Sequence, residues 1–179
     1  KPTITASDGI TSGNWHKNSS VTLTFSGSTI SNELGNVVYY YGTSESNMTS
    51  TGTSVTYSSN TTGRTYYVKA CNSLDSSKCS SVVTYVLKID KTSPVISSIS
   101  DNGDLTASVT VSDTYSGISA YCINTTRTST TSCTWNTLTN TTSSTTFMTT
   151  SVSAEGTYFV HVKDVAGNIG HSKIGRAHV

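Results

Sequence analysis

The sequence predicts an all-β chain of two tandem β-sandwich domains. Three observations carry this prediction. The first is composition. The 179 residues include 34 Thr and 33 Ser, with 34% hydrophobic residues, only 12% charged ones and a formal net charge of +1. Thr and Ser are poor helix formers, whereas β-branched Thr suits a pleated strand. The second is a run of short segments of alternating polarity, bounded by turn formers. The third is an internal repeat. "TYYVKA" from Thr65 returns as "TYFVHV" from Thr157, 92 residues later, and "VTLTF" at Val21 matches "VTVS" at Val109. Self-similarity at this period indicates a duplicated domain.

Taken in order, strands are expected near residues 2–6, 20–26, 36–41, 53–58, 64–71 and 80–89. In the second half they are expected near 95–100, 105–112, 117–124, 131–136, 144–149, 156–163 and 168–174. Turns fall between them at Asp8-Gly9, Ser12-Gly13-Asn14, Asn60, Asp101-Asn102-Gly103, Ser116-Gly117, Glu155-Gly156 and Ala166-Gly167-Asn168. Gly and Asn tolerate positive φ there, and Asp bonds its own backbone. Alternation points Val21, Leu23, Phe25, Tyr66 and Val68 inward in the first domain. It does the same for Val109, Val111, Tyr158, Val160 and Val162 in the second. The intervening Thr, Lys69, His161 and Lys163 are expected to face water. The domains span 1–90 and 91–173, joined at "KIDKTSP", Lys88 to Pro94. Pro94 fixes φ and holds Ser93 extended, which suits a short stiff connection.

Four cysteines form two close pairs, Cys71 with Cys79 and Cys122 with Cys133. Local disulfides are the preferred reading: Cys122–Cys133 would join neighbouring strands of one hairpin and Cys71–Cys79 would close the hairpin between the last two strands of the first domain, each contributing roughly 2.5–3 kcal/mol by chain entropy. They imply an oxidising, extracytoplasmic setting. The competing reading, a zinc or redox pair, lacks CxxC spacing and a nearby histidine partner. The near-zero net charge argues against nucleic-acid binding, and no stretch approaches the ~20 apolar residues of a membrane span. The chain does not begin with Met, so its start is expected to lie inside something longer. The ending Ile174-Gly175-Arg176-Ala177-His178-Val179 is what one frame of a sequencing adapter encodes (ATC GGA AGA GCA CAC GTC, then TGA). Residues 174–179 are therefore expected to be an artefact tail on an assembled fragment.

"KIDKTSPVIS", "VSDTYSGISAYCI" and "GTYFVHVKDVAGNI" together resemble the tandem immunoglobulin-like repeats of bacterial, mostly Gram-positive, surface proteins. Such repeats open with a Lys-Asp-Lys-Thr-Pro linker, here Lys88 to Pro94 with Ser93 inserted. They continue with an Asp-to-Gly turn, here Asp113 to Gly117, and close on a Lys-Asp-x-Ala-Gly-Asn hairpin, here Lys163 to Asn168. The match covers nearly the whole second domain. It is looser in the first, where "CNSLDSSKC" stands in place of the final hairpin. The resemblance implies an immunoglobulin-like fold on a bacterial cell surface or in a secreted protein. It implies a non-catalytic stalk role in a monomeric segment of a longer chain. The alternative is an adhesin or carbohydrate- or protein-binding module, accessory to a glycan-degrading enzyme or facing cell-wall or host ligands.

Candidate chemistry is sparse. Trp135, two residues from Cys133, is the candidate ligand-binding residue, as a sugar-stacking platform or as a cover for the disulfide. Asp90, Asp101, Asp104 and Asp113 near the junction offer carboxylates for Ca²⁺, but no D-x-D-x-D-G loop is present and turn capping is the simpler role. His16, His161 and His171 are scattered, the three Glu (Glu33, Glu45, Glu155) form no inferable acid pair, and neither GxSxG nor HExxH occurs. A buried Lys-Asn-acid set for a spontaneous cross-link is not evident. Sequons at Asn18, Asn47, Asn60, Asn124 and Asn140 are expected to go unused in a Thr-rich bacterial sequence. No catalytic residue, metal or cofactor is assigned.

Overall fold

The computed structural model describes residues 1–30 and 34–177, so Glu33 and His178 lie outside the described residues. The chain divides into two compact units, Lys1–Asp90 and Lys91–Val179. No helix of the described residues is long and apolar enough to cross a membrane.

The first unit comprises β1 (Thr3–Ala6), β2 (Trp15–His16), β3 (Val21–Ser26), β4 (Val37–Gly42), β5 (Ser50–Thr51), β6 (Ser54–Tyr57), β7 (Thr61–Asn72), β8 (Asp75–Cys79) and β9 (Val83–Ile89). β1-β3-β6 form one sheet and β2-β9-β7-β4-β5 the other, with β8 paired to β7. Strict alternation in β3 buries Val21, Leu23 and Phe25 against Tyr66, Val68, Leu87 and Ile89. Fully burying each such side chain contributes about 1.5–3 kcal/mol relative to leaving it exposed. Phe25 packs between Tyr39 and Tyr41, with ring centroids 6.3 and 5.2 Å away. Two features depart from the sequence expectation. β2 pairs in parallel with β9, and Cys79 sits on its own short strand, directly opposite Cys71, before β9 begins. The disulfide therefore closes a separate β7–β8 hairpin and not the turn into the last strand.

The second unit comprises β10 (Val95–Asp101), β11 (Ala107–Ser112), β12 (Ile118–Asn124), β13 (Asn136–Thr137), β14 (Thr145–Met148), β15 (Gly156–Asp164) and β16 (Ile169–Ala177). β10-β11-β14 form one sheet and β13-β12-β15-β16 the other. Val109, Val111, Ile118, Tyr121, Val160 and Val162 make the core. Tyr158, expected inside, is only half-buried, and its hydroxyl donates to Ala154 O at 3.1 Å. β16 runs past Lys173, and Ile174 packs against the core. The two units share one more detail. Thr22 and Thr56 face each other across β3–β6 with hydroxyl oxygens 2.8 Å apart, and Thr110 and Thr146 do so across β11–β14 at 2.9 Å.

Candidate functional site

The densest polar construction in the second unit lies on the outer face of its four-stranded sheet. Register sets the rows. Cys122 is opposite His161, which is opposite His171, and Asn124 is opposite Phe159, which is opposite Lys173. Alternation assigns this face correctly, but it does not leave His161 in water: that residue is 1% exposed. The reason is the segment that follows β12. A strand was expected over 131–136, yet only Asn136–Thr137 joins the sheet. The intervening loop folds back over the strands. Cys133 bonds Cys122 with a Cα–Cα distance of 5.7 Å, and its N–H donates to Thr130 O at 3.0 Å. Cys133 is thus a loop residue and not the strand partner the sequence suggested. Asn124 Nδ2 donates to Ser129 O at 2.7 Å, and Thr126 N–H donates to Asn124 Oδ1 at 2.9 Å.

His161 fastens this loop from below. Its Nε2 lies 3.0 Å from Asn124 Oδ1 and 3.1 Å from Thr126 O. Both partners are acceptors, so the assigned tautomer carries its proton on Nε2. Burial holds the His161 pKa below the usual imidazole value. The Thr126 carbonyl opposes the shift and nearby His171 adds to it.

Trp135 is half-buried beside this loop, and Lys163 Nζ sits 4.3 Å from its ring centroid. One face of the indole is therefore in contact with an ammonium group, an attraction of about 0.5–1 kcal/mol at an exposed site.

The first unit contains a second network, which spacing along the chain gave no means of finding. Asp8 and His16 lie on either side of a loop, and Tyr85 is 69 residues beyond His16. His16 is fully buried. Its Nδ1 is 2.8 Å from Asp8 Oδ2 and 3.0 Å from Oδ1, and its Nε2 is 3.3 Å from the Tyr85 hydroxyl. Asn18 Nδ2 and Ile10 N–H also donate to the Asp8 carboxylate, at 3.0 and 3.2 Å. Burial works to raise the Asp8 pKa, but the hydrogen bonds from His16 and Ile10 and the charge of His16 together bring it below the ordinary value. Burial, with the Asp8 charge, raises that of Tyr85. Acid, imidazole and hydroxyl line up as in a nucleophilic relay. Here, however, the Tyr85 proton is donated to Ile10 O at 2.6 Å, and the imidazole is sealed from any substrate. The arrangement ties the loop after β1 to β2 and β9.

The junction carboxylates separate into two kinds. Asp101 and Asp104 are exposed turn caps: Asp101 accepts from Gly103 N–H at 3.0 Å, and Asp104 from Thr106 N–H at 3.1 Å and from the Thr106 hydroxyl. Asp90 is fully buried, and its N–H donates to His16 O at 2.9 Å. Asp113 and Asp164 are buried side by side in the second unit, with a carboxylate oxygen of each within 4.8 Å of the other. Asp113 Oδ1 accepts from Gly117 N–H at 2.7 Å and Tyr115 N–H at 3.2 Å. Asp164 accepts from both the N–H and the side-chain amide of Asn168, each at 2.8 Å. Each carboxylate thus organises its own turn.

No protein-family profile matches the sequence, and no curated protein is similar to it. Solved structures similar to the chain are themselves modular. A two-domain fibronectin type III segment of chicken tenascin is 18% identical with a TM-score of 0.46, covering 99% of this chain and 98% of that one. The fibronectin(III)-like modules of Clostridium thermocellum CbhA are 14% identical with a TM-score of 0.43, covering 100% and 94%. Three N-terminal domains of the bacteriophage RB49 outer capsid protein Hoc are 11% identical with a TM-score of 0.41. There this chain is covered over 99% and spans 58% of the other.

Proposed function

We propose that the chain is a pair of immunoglobulin-like structural repeats, without catalytic activity, from the stalk of a bacterial cell-surface or secreted protein, where they present other domains. One observation carries this reading. Each unit closes its own apolar core between two sheets and carries its own disulfide, so each can bear load as a separate element. The two disulfides fit an oxidising, extracellular setting. The Thr-rich outer strands keep a weakly charged surface wet, and their cross-strand hydroxyl pairs contribute roughly 0.2–1 kcal/mol each.

Single-molecule pulling of the full chain between two handles tests the proposal. Two separate unfolding events are expected. Reduction should lengthen one by about 2.4 nm and the other by about 3.3 nm, since the disulfides lock loops of sequence separation 8 and 11 across Cα–Cα distances of 4.0 and 5.7 Å and an extended chain spans ~3.5 Å per residue. A single event for the whole chain, or units that yield at negligible force, would overturn a load-bearing role.

A further inference from the structure

We propose that the outer face of the second unit carries a binding site for an acidic saccharide. The site is an open groove of about 430 Å³ lined by Arg127, Thr157, Phe159, His171, Ser172 and Lys173. This volume falls within the range of small-ligand sites. Two permanent cations and an imidazole converge on it, and none of the six lining residues is acidic. Phe159 forms its floor, directly opposite Lys173 on the neighbouring strand. Thr157, on the same face of β15 as Phe159, adds a hydroxyl at the rim.

The groove is held in shape before any ligand arrives. Arg127 follows Thr126, whose carbonyl is bonded to buried His161, and the loop is held at its ends by Cys122–Cys133 and by the Asn124–Ser129 bond. Fixing the loop removes ordering entropy from the cost of binding. The cations suit a carboxylate or sulfate, for which Arg offers a planar two-pronged contact. The half-buried Phe159 ring suits the apolar face of a pyranose. A free anion would not use that ring. A nucleic acid needs a row of cations along its backbone, whereas this chain has a net charge of only +1. The inference adds to the structural role above and does not depend on it.

Calorimetric titration of the full chain at low ionic strength tests it. The probes are trigalacturonate, a sulfated heparin disaccharide, neutral maltotriose, inorganic sulfate and a short DNA duplex. Saturable one-to-one binding is expected for trigalacturonate or the sulfated disaccharide, and the stronger of the two identifies the anionic group. Maltotriose should not bind. Arg127→Gln with Lys173→Gln should weaken binding by about tenfold or more, corresponding to about 1.4 kcal/mol. Both residues are exposed, so the melting temperature should not change. Phe159→Leu should weaken the saccharide about fivefold while leaving sulfate binding unchanged. Lys163→Gln, outside the groove, should have no effect. The proposal is overturned if neither acidic saccharide saturates, if the double variant binds as the parent does, if maltotriose competes equally, or if the DNA duplex binds tightest.

Discussion

The imidazole of His16, itself closed to solvent, meets the carboxylate of Asp8 at 2.8 Å, and it anchors the loop after β1 to β9. Replacing His16 by Ala should leave the Asp8 carboxylate and the Tyr85 hydroxyl short of a partner. The first unit should lose about 2–3 kcal/mol, read from the midpoint of its urea transition. Tyr85→Phe removes only the hydroxyl and leaves Ile10 O without its donor, so it should cost about 1–1.5 kcal/mol. A His16→Ala midpoint equal to that of the parent would show that the network is ornamental.

Acid should weaken the two units in different pH ranges. Asp8 has a folded pKa below its unfolded value, so the stability it contributes is present above the ordinary carboxylate pKa and is lost as pH falls through that range. His161 is held neutral by burial, with a folded pKa below the unfolded value of about 6.5. Below that pH the unfolded chain binds the extra proton, so stability of the second unit should fall as pH drops from 7.5 to 5 and stay flat above 7. His161→Gln keeps a donor for Asn124 Oδ1 and should remove that slope. Urea midpoints of the two proteins at both pH values decide it, and equal slopes would rule out His161 as the titrating group.

The alternation Val21-Leu23-Phe25 and Val109-Val111 made both cores readable, because a half-buried strand repeats every two residues. The Asp113–Gly117 and Lys163–Asn168 turns were readable because Asp and Gly carry their own local geometry. His161 shows where that logic stops. Period two assigns a side chain to a face, but it does not tell what later covers the face. The cover is a loop whose position depends on the Cys122–Cys133 disulfide and on the hydrogen bonds of Asn124 and His161. Asp8, His16 and Tyr85 were out of reach for a related reason: the parallel pairing of β2 with β9 joins positions over 70 residues apart. Residues 131–135 carry Thr, Cys and Trp, which are strand-compatible, yet tertiary fastening to β12 takes them out of the sheet.

The Cys122–Cys133 bond should matter locally as well as globally. Cys122→Ala with Cys133→Ala removes a cross-link spanning 11 positions, at a cost of about 3 kcal/mol by chain entropy. It should also release the 125–132 loop, so that amide exchange rises there and the His161 resonance titrates nearer the ordinary imidazole value. The equivalent Cys71–Cys79 variant should leave His161 unchanged. A His161 titration that ignores both variants would separate its burial from the disulfide.

Two glycines in the second unit separate backbone strain from steric exclusion. Gly117 and Gly167 both adopt positive φ, at 77° and 92°. Around Gly167 a Cβ would meet no atom within 4 Å. Gly167→Ala should therefore cost only the left-handed conformational penalty, about 1–2 kcal/mol. At Gly117 the same Cβ would collide with Asn140 Oδ1 and lie 2.8 Å from the Thr141 carbonyl oxygen. That carbonyl accepts the Ile118 N–H at 3.1 Å, so it cannot retreat without breaking the entry to β12. The Gly117 N–H is in turn fixed by Asp113 at 2.7 Å. Gly117→Ala should cost about 3–5 kcal/mol, among the larger single-residue effects. Urea midpoints of the second unit measure both. Equal losses at the two positions would mean that the turn from Asp113 relaxes freely, contrary to the packing around Thr141.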